Sequence, residues 1–283
     1  MSKYAQVAPN AFKKLAMNAG VFATGFVPAT GVVSGILAAT SGGIKVDAVP
    51  EYVDFGEDID NVRKNTKELK RIKSWAVTAS MSLASIDTTS GKSILAAADI
   101  DPSDATHIVP RHALKDGDFN DMWVIGDYSD VTDAANGGYV AIRIKNALST
   151  GGLSLQTADA EKGKFSVTYT GHYSLNDGDD DVPFDVYIKA GLPNMTVVSA
   201  AGTSSGKTKL TVSGYTLSGG ESYVYKTAAS VAVPQAGDTL TAWTSWDGSA
   251  EITATSGNDI VVAVVDSNTK AVAGGKATVV SAA

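Results

Sequence analysis

The chain contains no cysteine among its 283 residues. It therefore has no disulfide framework, no thiolate metal ligand and no cysteine nucleophile. Proline is scarce, with 8 residues, and the 19% of charged residues falls below the usual value of about a quarter. Hydrophobic residues nevertheless make up 44% of the chain, which is enough for a packed core and excludes intrinsic disorder.

Positive charge is also in deficit, because 23 Lys and Arg face 30 Asp and Glu for a formal net charge of −7. Proteins hold nucleic acid and anionic membranes mainly through Lys and Arg. The acidic balance therefore argues against tight nucleic-acid binding and against a membrane partner. The most apolar stretch, residues 15–40, is interrupted by glycine and proline, so it predicts a strand and turns rather than a spanning helix or a signal peptide.

Charge and composition change near residue 192. Residues 1–192 hold 18 Lys and Arg and 24 Asp and Glu, whereas residues 193–283 hold 5 and 6. The second part is rich in Ser, Thr, Gly, Ala and Val, and the junction contains Gly191 and Pro193. Glycine and proline commonly mark connecting segments. We therefore predict two domains, residues 1–192 and residues 193–283.

Alternating apolar and polar residues dominate the first part. Residues 74–84 show this pattern most clearly, with apolar side chains at every second position: Trp75, Val77, Ala79, Met81 and Leu83. The period is that of a strand with one buried face. Further strands are predicted at residues 19–27, 122–125, 138–145, 164–173 and 184–188. One helix is predicted over residues 94–98, with Ser90 as its N-cap and Asp101-Pro102 as its stop.

The second part contains short apolar segments separated by turns. They lie at residues 196–200, 209–213, 222–226, 230–233, 239–243, 251–255 with 260–265, and 271–280. About seven short strands in such a length are typical of an immunoglobulin-like sandwich. The Cys-Trp-Cys pattern of antibody domains is absent from the sequence.

Two segments resemble the end of a phosphate-binding P-loop, at residues 90–93 (Ser-Gly-Lys-Ser) and 205–208 (Ser-Gly-Lys-Thr). A P-loop needs a glycine five residues before its Gly-Lys pair, so that backbone amides wrap the phosphates. Ile86 and Ala201 occupy those positions. We therefore predict a helix cap and a hairpin turn instead of nucleotide sites.

Asp116, Asp118 and Asn120 have the spacing that opens a calcium loop, but Asp121 stands where that loop requires glycine. A solvated acidic loop is predicted here and at residues 176–181, with weak ion binding as the alternative. The three histidines do not have the spacing of metal ligands, and no nucleophile elbow or dinucleotide fingerprint occurs. We therefore predict no catalytic residue, no metal site and no cofactor.

The segment at residues 50–73 is unlike the rest of the chain, because its first half is acidic and its second half is basic. A long polar insertion between two strands is usually functional or mobile. Opposite charge blocks can neutralise each other or meet their complements on an identical neighbour. A solvated surface loop is the alternative. We predict that seven charged residues of this loop make intersubunit contacts: Asp58, Asp60, Arg63, Lys64, Lys67, Lys70 and Arg71.

Four sequence runs carry a resemblance to a known family: Asn-Ala-Gly-Val (18–21), Ala-Thr-Ser-Gly-Gly-Ile (39–44), Pro-Glu-Tyr-Val-Asp-Phe-Gly-Glu-Asp-Ile-Asp-Asn (50–61) and Lys-Asn-Thr-Lys-Glu-Leu-Lys (64–70). In these runs, and across residues 15–191, the chain resembles the major tail tube proteins of long-tailed, non-contractile bacteriophages (siphophages). The part after residue 192 resembles the immunoglobulin-like domain that some of these proteins carry.

The resemblance implies a mainly β protein, with a tail-tube β-sandwich or half-barrel, one flanking helix and a long loop, followed by an immunoglobulin-like β-sandwich outside the tube. It implies a structural virion protein without enzymatic activity. Hexameric rings would stack into a hollow tube through which DNA is delivered to the host, with the N-terminal arm and the loop reaching neighbouring subunits. The implied partners are further copies of the chain, other tail proteins at the tube ends, and double-stranded DNA that passes without tight binding. Assembly in the bacterial cytoplasm and location in the virion tail follow from the same resemblance.

A second function class stays open, that of a secreted or cell-surface β-sandwich adhesin or glycan-binding protein. Tyr223, Trp243 and Trp246 are its candidate aromatic platform for sugars, although burial of at least one Trp in the core is favoured. An export signal would favour this class, and residues 15–40 do not predict one.

Overall fold

The computed structural model describes residues 15–128, 137–178 and 180–283. Strands dominate this part of the chain, and they confirm the predicted mainly β fold class. The chain divides into two compact units. Their described residues are 17–126 with 140–187 in the first unit, and 188–283 with 15–16, 127–128 and 137–139 in the second. The domain boundary at residue 192 stays a prediction, and the N-terminal arm lies largely outside the described residues.

The first unit is built around one large sheet. Its elements in chain order are β1 (Ala16–Val27), β2 (Val32–Ile36), β3 (Thr40–Asp54), β4 (Lys70–Leu83), α1 (Thr88–Ile94), β5 (Ala98–Asp101), β6 (Asp104–Pro110), β7 (Asn120–Tyr128), β8 (Gly138–Ser149), β9 (Ser154–Ala158), β10 (Glu161–Thr170) and β11 (Phe184–Lys189). Nine strands form the sheet: β2-β1-β7-β8-β10-β4-β3 are successive neighbours, β11 pairs with β8, and β9 pairs with β10. β5 and β6 form a separate hairpin. Each of the six strands predicted for residues 1–192 is present, although β10 ends at Thr170 and not at the predicted residue 173.

The core of the first unit follows from the alternation along β4. Val77 and Leu83 are fully buried, as the period-2 pattern predicts, and the polar residues between them lie on the more exposed face. β10 is antiparallel to β4 and adds Val167 and Tyr169 to the same core. Phe22 of β1 packs on Tyr169 with ring centroids 5.0 Å apart. Burial of the Tyr169 hydroxyl raises its pKa to about 12, while Ser93 of α1 contacts this hydroxyl at 2.8 Å.

The helix of the described chain begins earlier than predicted. α1 has Asp87 as its N-cap, and the Asp87 carboxylate accepts a hydrogen bond from the Ser90 amide at 2.7 Å. The Ser90 hydroxyl accepts one from the Asp87 amide at 2.8 Å. The assignment of Ser90 as N-cap was therefore wrong, because Ser90 is the third residue of a reciprocal capping box. Ile94 ends the helix in the core, and the predicted end of the helix at residue 98 is instead the start of β5.

The second unit is a sandwich of two antiparallel sheets. Its strands are β12 (Thr196–Ala201), β13 (Lys207–Ser213), β14 (Ser222–Ala228), β15 (Thr244–Trp246), β16 (Ile252–Thr253), β17 (Asp259–Val265) and β18 (Ala271–Thr278). One sheet has the order β12-β13-β16 and the other β15-β14-β17-β18. Val197 and Leu210 of the first sheet share a core with Ile260 and Val262 of the second. Residues 205–208 lie at the β12–β13 turn, as predicted.

Two of the strand predictions for the second unit are wrong. Residues 230–233 are irregular, and the segment at residues 239–243 makes a single bridge from Thr239 to Lys270 before it turns. The turn is closed by a hydrogen bond from the Trp243 amide to the Leu240 carbonyl at 3.0 Å. The strand in this region is the short β15, which begins just after the predicted segment.

Candidate functional site: the β3–β4 hairpin

The segment predicted as a loop at residues 50–73 is mostly a long hairpin. Residues 50–54 belong to β3 and residues 70–73 to β4, with Tyr52 opposite Ile72 and Asp54 opposite Lys70. The loop itself is confined to residues 55–69. Pro50 lies on a strand at the edge of the sheet, where one side needs no ladder hydrogen bond. The predicted loop was therefore too long at both ends.

The Asp54 carboxylate orders the loop at the end of the hairpin. It accepts hydrogen bonds from the Gly56 amide at 2.9 Å and from the Asn65 amide at 2.7 Å. These bonds, the one from Asn65 above all, hold the pKa of Asp54 below its ordinary value. Asn61 and Asn65 have positive φ angles of 64° and 62°, a conformation that asparagine adopts more readily than most residues. The loop is thus a folded tip and not a featureless linker.

Four of the seven predicted contact residues are engaged within the hairpin. Lys64 pairs with Glu57 at 3.0 Å, and this bond raises the pKa of Lys64. Lys67 lies 3.5 Å from Glu68. The other two stack or bond locally: Lys70 lies over the Tyr52 ring at 4.7 Å, and Arg71 donates to the Glu68 carbonyl at 2.8 Å.

The side chains of Asp58, Asp60 and Arg63 are different, because they form no ion pair with any described residue. All three are at the exposed tip or close to it. The two charge blocks therefore neutralise each other only in part, and the carboxylates at the tip remain available to another molecule. Contact of any of the seven residues with a neighbouring subunit stays a prediction.

The hairpin also exposes apolar side chains, which the sequence analysis did not single out. The exposed fractions of five residues lie between 48% and 62%. They are Val49, Tyr52, Phe55, Ile59 and Ile72. The presence of large apolar residues within a charged segment was the signal in the sequence that could have indicated this surface. Clustered exposure of this kind marks association surfaces.

Each terminal strand of the large sheet has one side that pairs with no other described strand. β2 and β3 are its terminal strands, and each has one neighbour among the described residues. β2 and the end of β1 expose Val27, Val32 and Ile36. Unpaired edges carry free amide and carbonyl groups that can pair with a strand of another chain.

The predicted solvated acidic loop at residues 116–118 is only partly solvated. The side chain of Asp118 is buried and contacts the Arg111 guanidinium at 2.6 Å. That hydrogen bond holds the pKa of Asp118 below its ordinary value. Across residues 15–128, 137–178 and 180–283, no group of three or more His, Asp or Glu residues is placed to hold a metal ion.

The predicted aromatic platform is not assembled. Trp246 is buried in the sandwich core and donates from Nε1 to the Ala250 carbonyl at 2.8 Å. Tyr223 packs against Trp246 at a centroid distance of 5.6 Å, whereas Trp243 packs into a separate cluster with Leu240. The three rings are thus used for packing and do not share one exposed surface. Among the described helices, none has the length and apolarity needed to cross a bilayer.

The comparisons with known proteins concern the second unit. Residues 200–282 match the family model of the S-layer protein SbsC C-terminal domain. A search of curated proteins finds no match. The matched family belongs to a structural surface-layer protein, and the matched residues form most of the β-sandwich described above. The chain is therefore similar, over this part, to a β-rich structural or cell-surface protein.

Proposed function

We propose that the chain is a structural protein that polymerises into a hollow tube, as a major tail tube protein of a siphophage. One observation supports this above the others: the β3–β4 hairpin exposes five apolar side chains beside carboxylates that have no partner among the described residues. A monomer gains nothing from such a surface, whereas burial of apolar area stabilises association.

The edges of the large sheet support self-association of a particular kind. The terminal strands β2 and β3 differ in sequence and length. A contact between β2 of one copy and β3 of the next is head-to-tail, and repetition of such a contact generates a ring or a filament. The number of copies in a ring, six, comes from the resemblance of residues 15–191 to tail tube proteins.

Charge is compatible with a conduit for DNA. Residues 1–192 carry 18 Lys and Arg against 24 Asp and Glu, a net charge of −6. A wall of this sign makes few attractive contacts with phosphates. The proposal includes assembly in the reducing cytoplasm of a bacterium, which suits a chain without cysteine. It includes contacts with other tail proteins at the tube ends, and it assigns no catalysis, cofactor or membrane partner.

The test is negative-stain electron microscopy of the purified chain over a range of concentrations, together with sedimentation. We expect rings at low concentration and hollow tubes at high concentration. A chain that stays monomeric up to its solubility limit, with the thermal unfolding transition of a folded protein, would contradict the proposal.

A second candidate function is that of a cell-surface β-sandwich protein, and the match of residues 200–282 to an S-layer domain favours it. Immunogold labelling with an antibody against the second unit separates the two candidates. Label on phage tails supports the tube protein, and label on the envelope of uninfected cells supports the surface protein.

A further inference from the structure

Two consecutive glycines, Gly274 and Gly275, lie in the middle of β18, the last strand of the second unit. Glycine weakens the interior of a strand, and where it occurs there it often marks the close approach of another backbone. Neither residue has a positive φ angle, so the backbone conformation does not require glycine at either position. The requirement for the pair is therefore steric.

The backbone that approaches β18 belongs to residues 189–195, which lead into β12 and are called the entry segment. Asn194 forms a parallel bridge with Gly274. The Met195 amide donates a hydrogen bond to the Gly274 carbonyl at 2.8 Å, and the Gly274 amide donates one to the Pro193 carbonyl at 3.1 Å. The entry segment therefore runs beside β18 in the same direction.

Both glycines are needed for this approach. A Cβ added at Gly275 would clash with the carbonyl oxygen of Met195, which is a backbone atom of the entry segment. A Cβ added at Gly274 would lie 2.9 Å from Leu192 Cδ2 and 3.1 Å from Val233 Cγ1. Because consecutive residues of a strand face opposite sides, the entry segment packs on both faces of β18.

Two side chains of the entry segment are buried in two different cores of the second unit. Met195 is 2% exposed and belongs to the core between the two sheets. Leu192 is 1% exposed and belongs to a second cluster, which also contains Leu240 and Trp243. Those two residues come from residues 229–243, which are called the covering segment. The entry segment is thus part of the packed interior of this unit.

The first residue of the entry segment is tied to the covering segment. Lys189 donates a hydrogen bond to the Gln235 side chain, and its ammonium group lies 3.3 Å from the Asp238 carboxylate. The Asp238 carbonyl accepts a hydrogen bond at 2.9 Å from the amide of Ala271, the first residue of β18. The N-terminal ends of the entry segment and of β18 therefore lie at the same end of the pair.

Parallel pairing decides how this contact responds to a pulling force. The N-terminal end of the entry segment and the C-terminal end of β18 lie at opposite ends of the pair. A force that pulls these two ends apart acts along the strands, so it loads both hydrogen bonds and both buried side chains together. A force applied at the two N-terminal ends opens the contact from one side and breaks its parts in succession.

We propose that the entry segment keeps the second unit folded under tension between residue 189 and the C-terminal end of β18. Under such tension, Leu192 and Met195 leave their cores only when the hydrogen bonds to Gly274 break as well. The inference goes beyond the proposed function and does not depend on it, because every residue involved lies within the second unit.

Forced unfolding of single molecules of the full chain tests the proposal. The natural chain has no cysteine, so two introduced cysteines define the points at which the force acts. The A190C/T278C variant pulls the contact along the strands, whereas A190C/N268C pulls at the turn before β18 and peels the contact from one end; all three positions are exposed. At one common force, we expect unfolding along the strands to be at least about tenfold slower, because two hydrogen bonds and two buried side chains break together. Equal unfolding rates in the two geometries would overturn the proposal.

A glycine substitution with a matched control tests the contact itself. We expect G275A, in each of the two cysteine backgrounds, to remove most of the difference between the two rates, because its methyl group displaces the entry segment. G219A is the control, since a Cβ at Gly219 would meet nothing within 4 Å, and the difference should persist there. A general loss of stability speeds unfolding in both geometries, so the ratio of the rates isolates this contact. If circular dichroism shows that G275A does not fold, L192A is compared in the same way. An unchanged ratio in the folded variant would show that the entry segment carries no tension.

Discussion

The exposed apolar residues at the tip of the hairpin allow a quantitative prediction. Phe55 is 62% exposed and Ile59 is 50% exposed in the single chain. We consider the double substitution Phe55→Ser and Ile59→Ser. Neither side chain belongs to a core cluster of the described residues, so the free energy of unfolding of the subunit should change by no more than about 0.5 kcal/mol.

The effect on assembly should be much larger. Full burial of a large apolar side chain is worth about 1.5–3 kcal/mol, and about half of each of these two side chains remains to be buried. The two losses together amount to about 1.5–3 kcal/mol for each contact. Because about 1.4 kcal/mol corresponds to a factor of ten, the critical concentration for assembly should rise about 12- to 140-fold.

The assay is sedimentation of the polymer over a concentration series, with thermal unfolding of the subunit measured in parallel. Leu175→Ser is the matched control, because Leu175 is a fully exposed apolar residue outside the hairpin. We expect the control to assemble like the natural chain. A folded Phe55→Ser/Ile59→Ser variant with the critical concentration of the control would refute the reasoning.

Three further predictions concern charge, pH and packing. Replacement of Arg63, Lys64 and Lys67 by glutamate should give a folded subunit that no longer assembles. Tubes of normal length from this variant would contradict the prediction. The pKa of Asp54 is lowered in the folded chain. The Asp54 carboxylate therefore contributes to the stability of the fold above its ordinary pKa of 3.8, and this contribution is lost as the pH falls through the folded pKa. Asp54→Asn should therefore lower the hydrogen-exchange protection factors of the Gly56 and Asn65 amides at neutral pH, as acidification through the folded pKa should for the natural chain, whereas unchanged protection factors would exclude this role. Ile94→Ala should lower the free energy of unfolding by about 2–5 kcal/mol in denaturant titrations, because Ile94 is fully buried, and a loss below about 1 kcal/mol would contradict its place in the core.

Local periodicity determined the parts of the fold that the sequence could predict. In β4, apolar residues at every second position point to one side of the strand whatever its partners are, so Val77 and Leu83 could be assigned to the core from the pattern alone. The division of the second unit into many short strands followed in the same way from apolar segments separated by turn residues. The acidic and basic blocks at residues 50–73 located the candidate site, although not its shape.

Pairing between distant residues decided what the sequence left open. Whether residues 50–54 form a strand depends on residues 70–75, which lie opposite them, and on the position of β3 at the edge of the sheet, where Pro50 is tolerated. Asp118 is buried because Arg111 neutralises it, a contact that no spacing rule predicts. Trp243 and Trp246 are three residues apart but pack into different clusters. Periodicity is a property of neighbouring residues, whereas strand edges, ion pairs and the choice between clusters arise only when segments far apart in the chain come together.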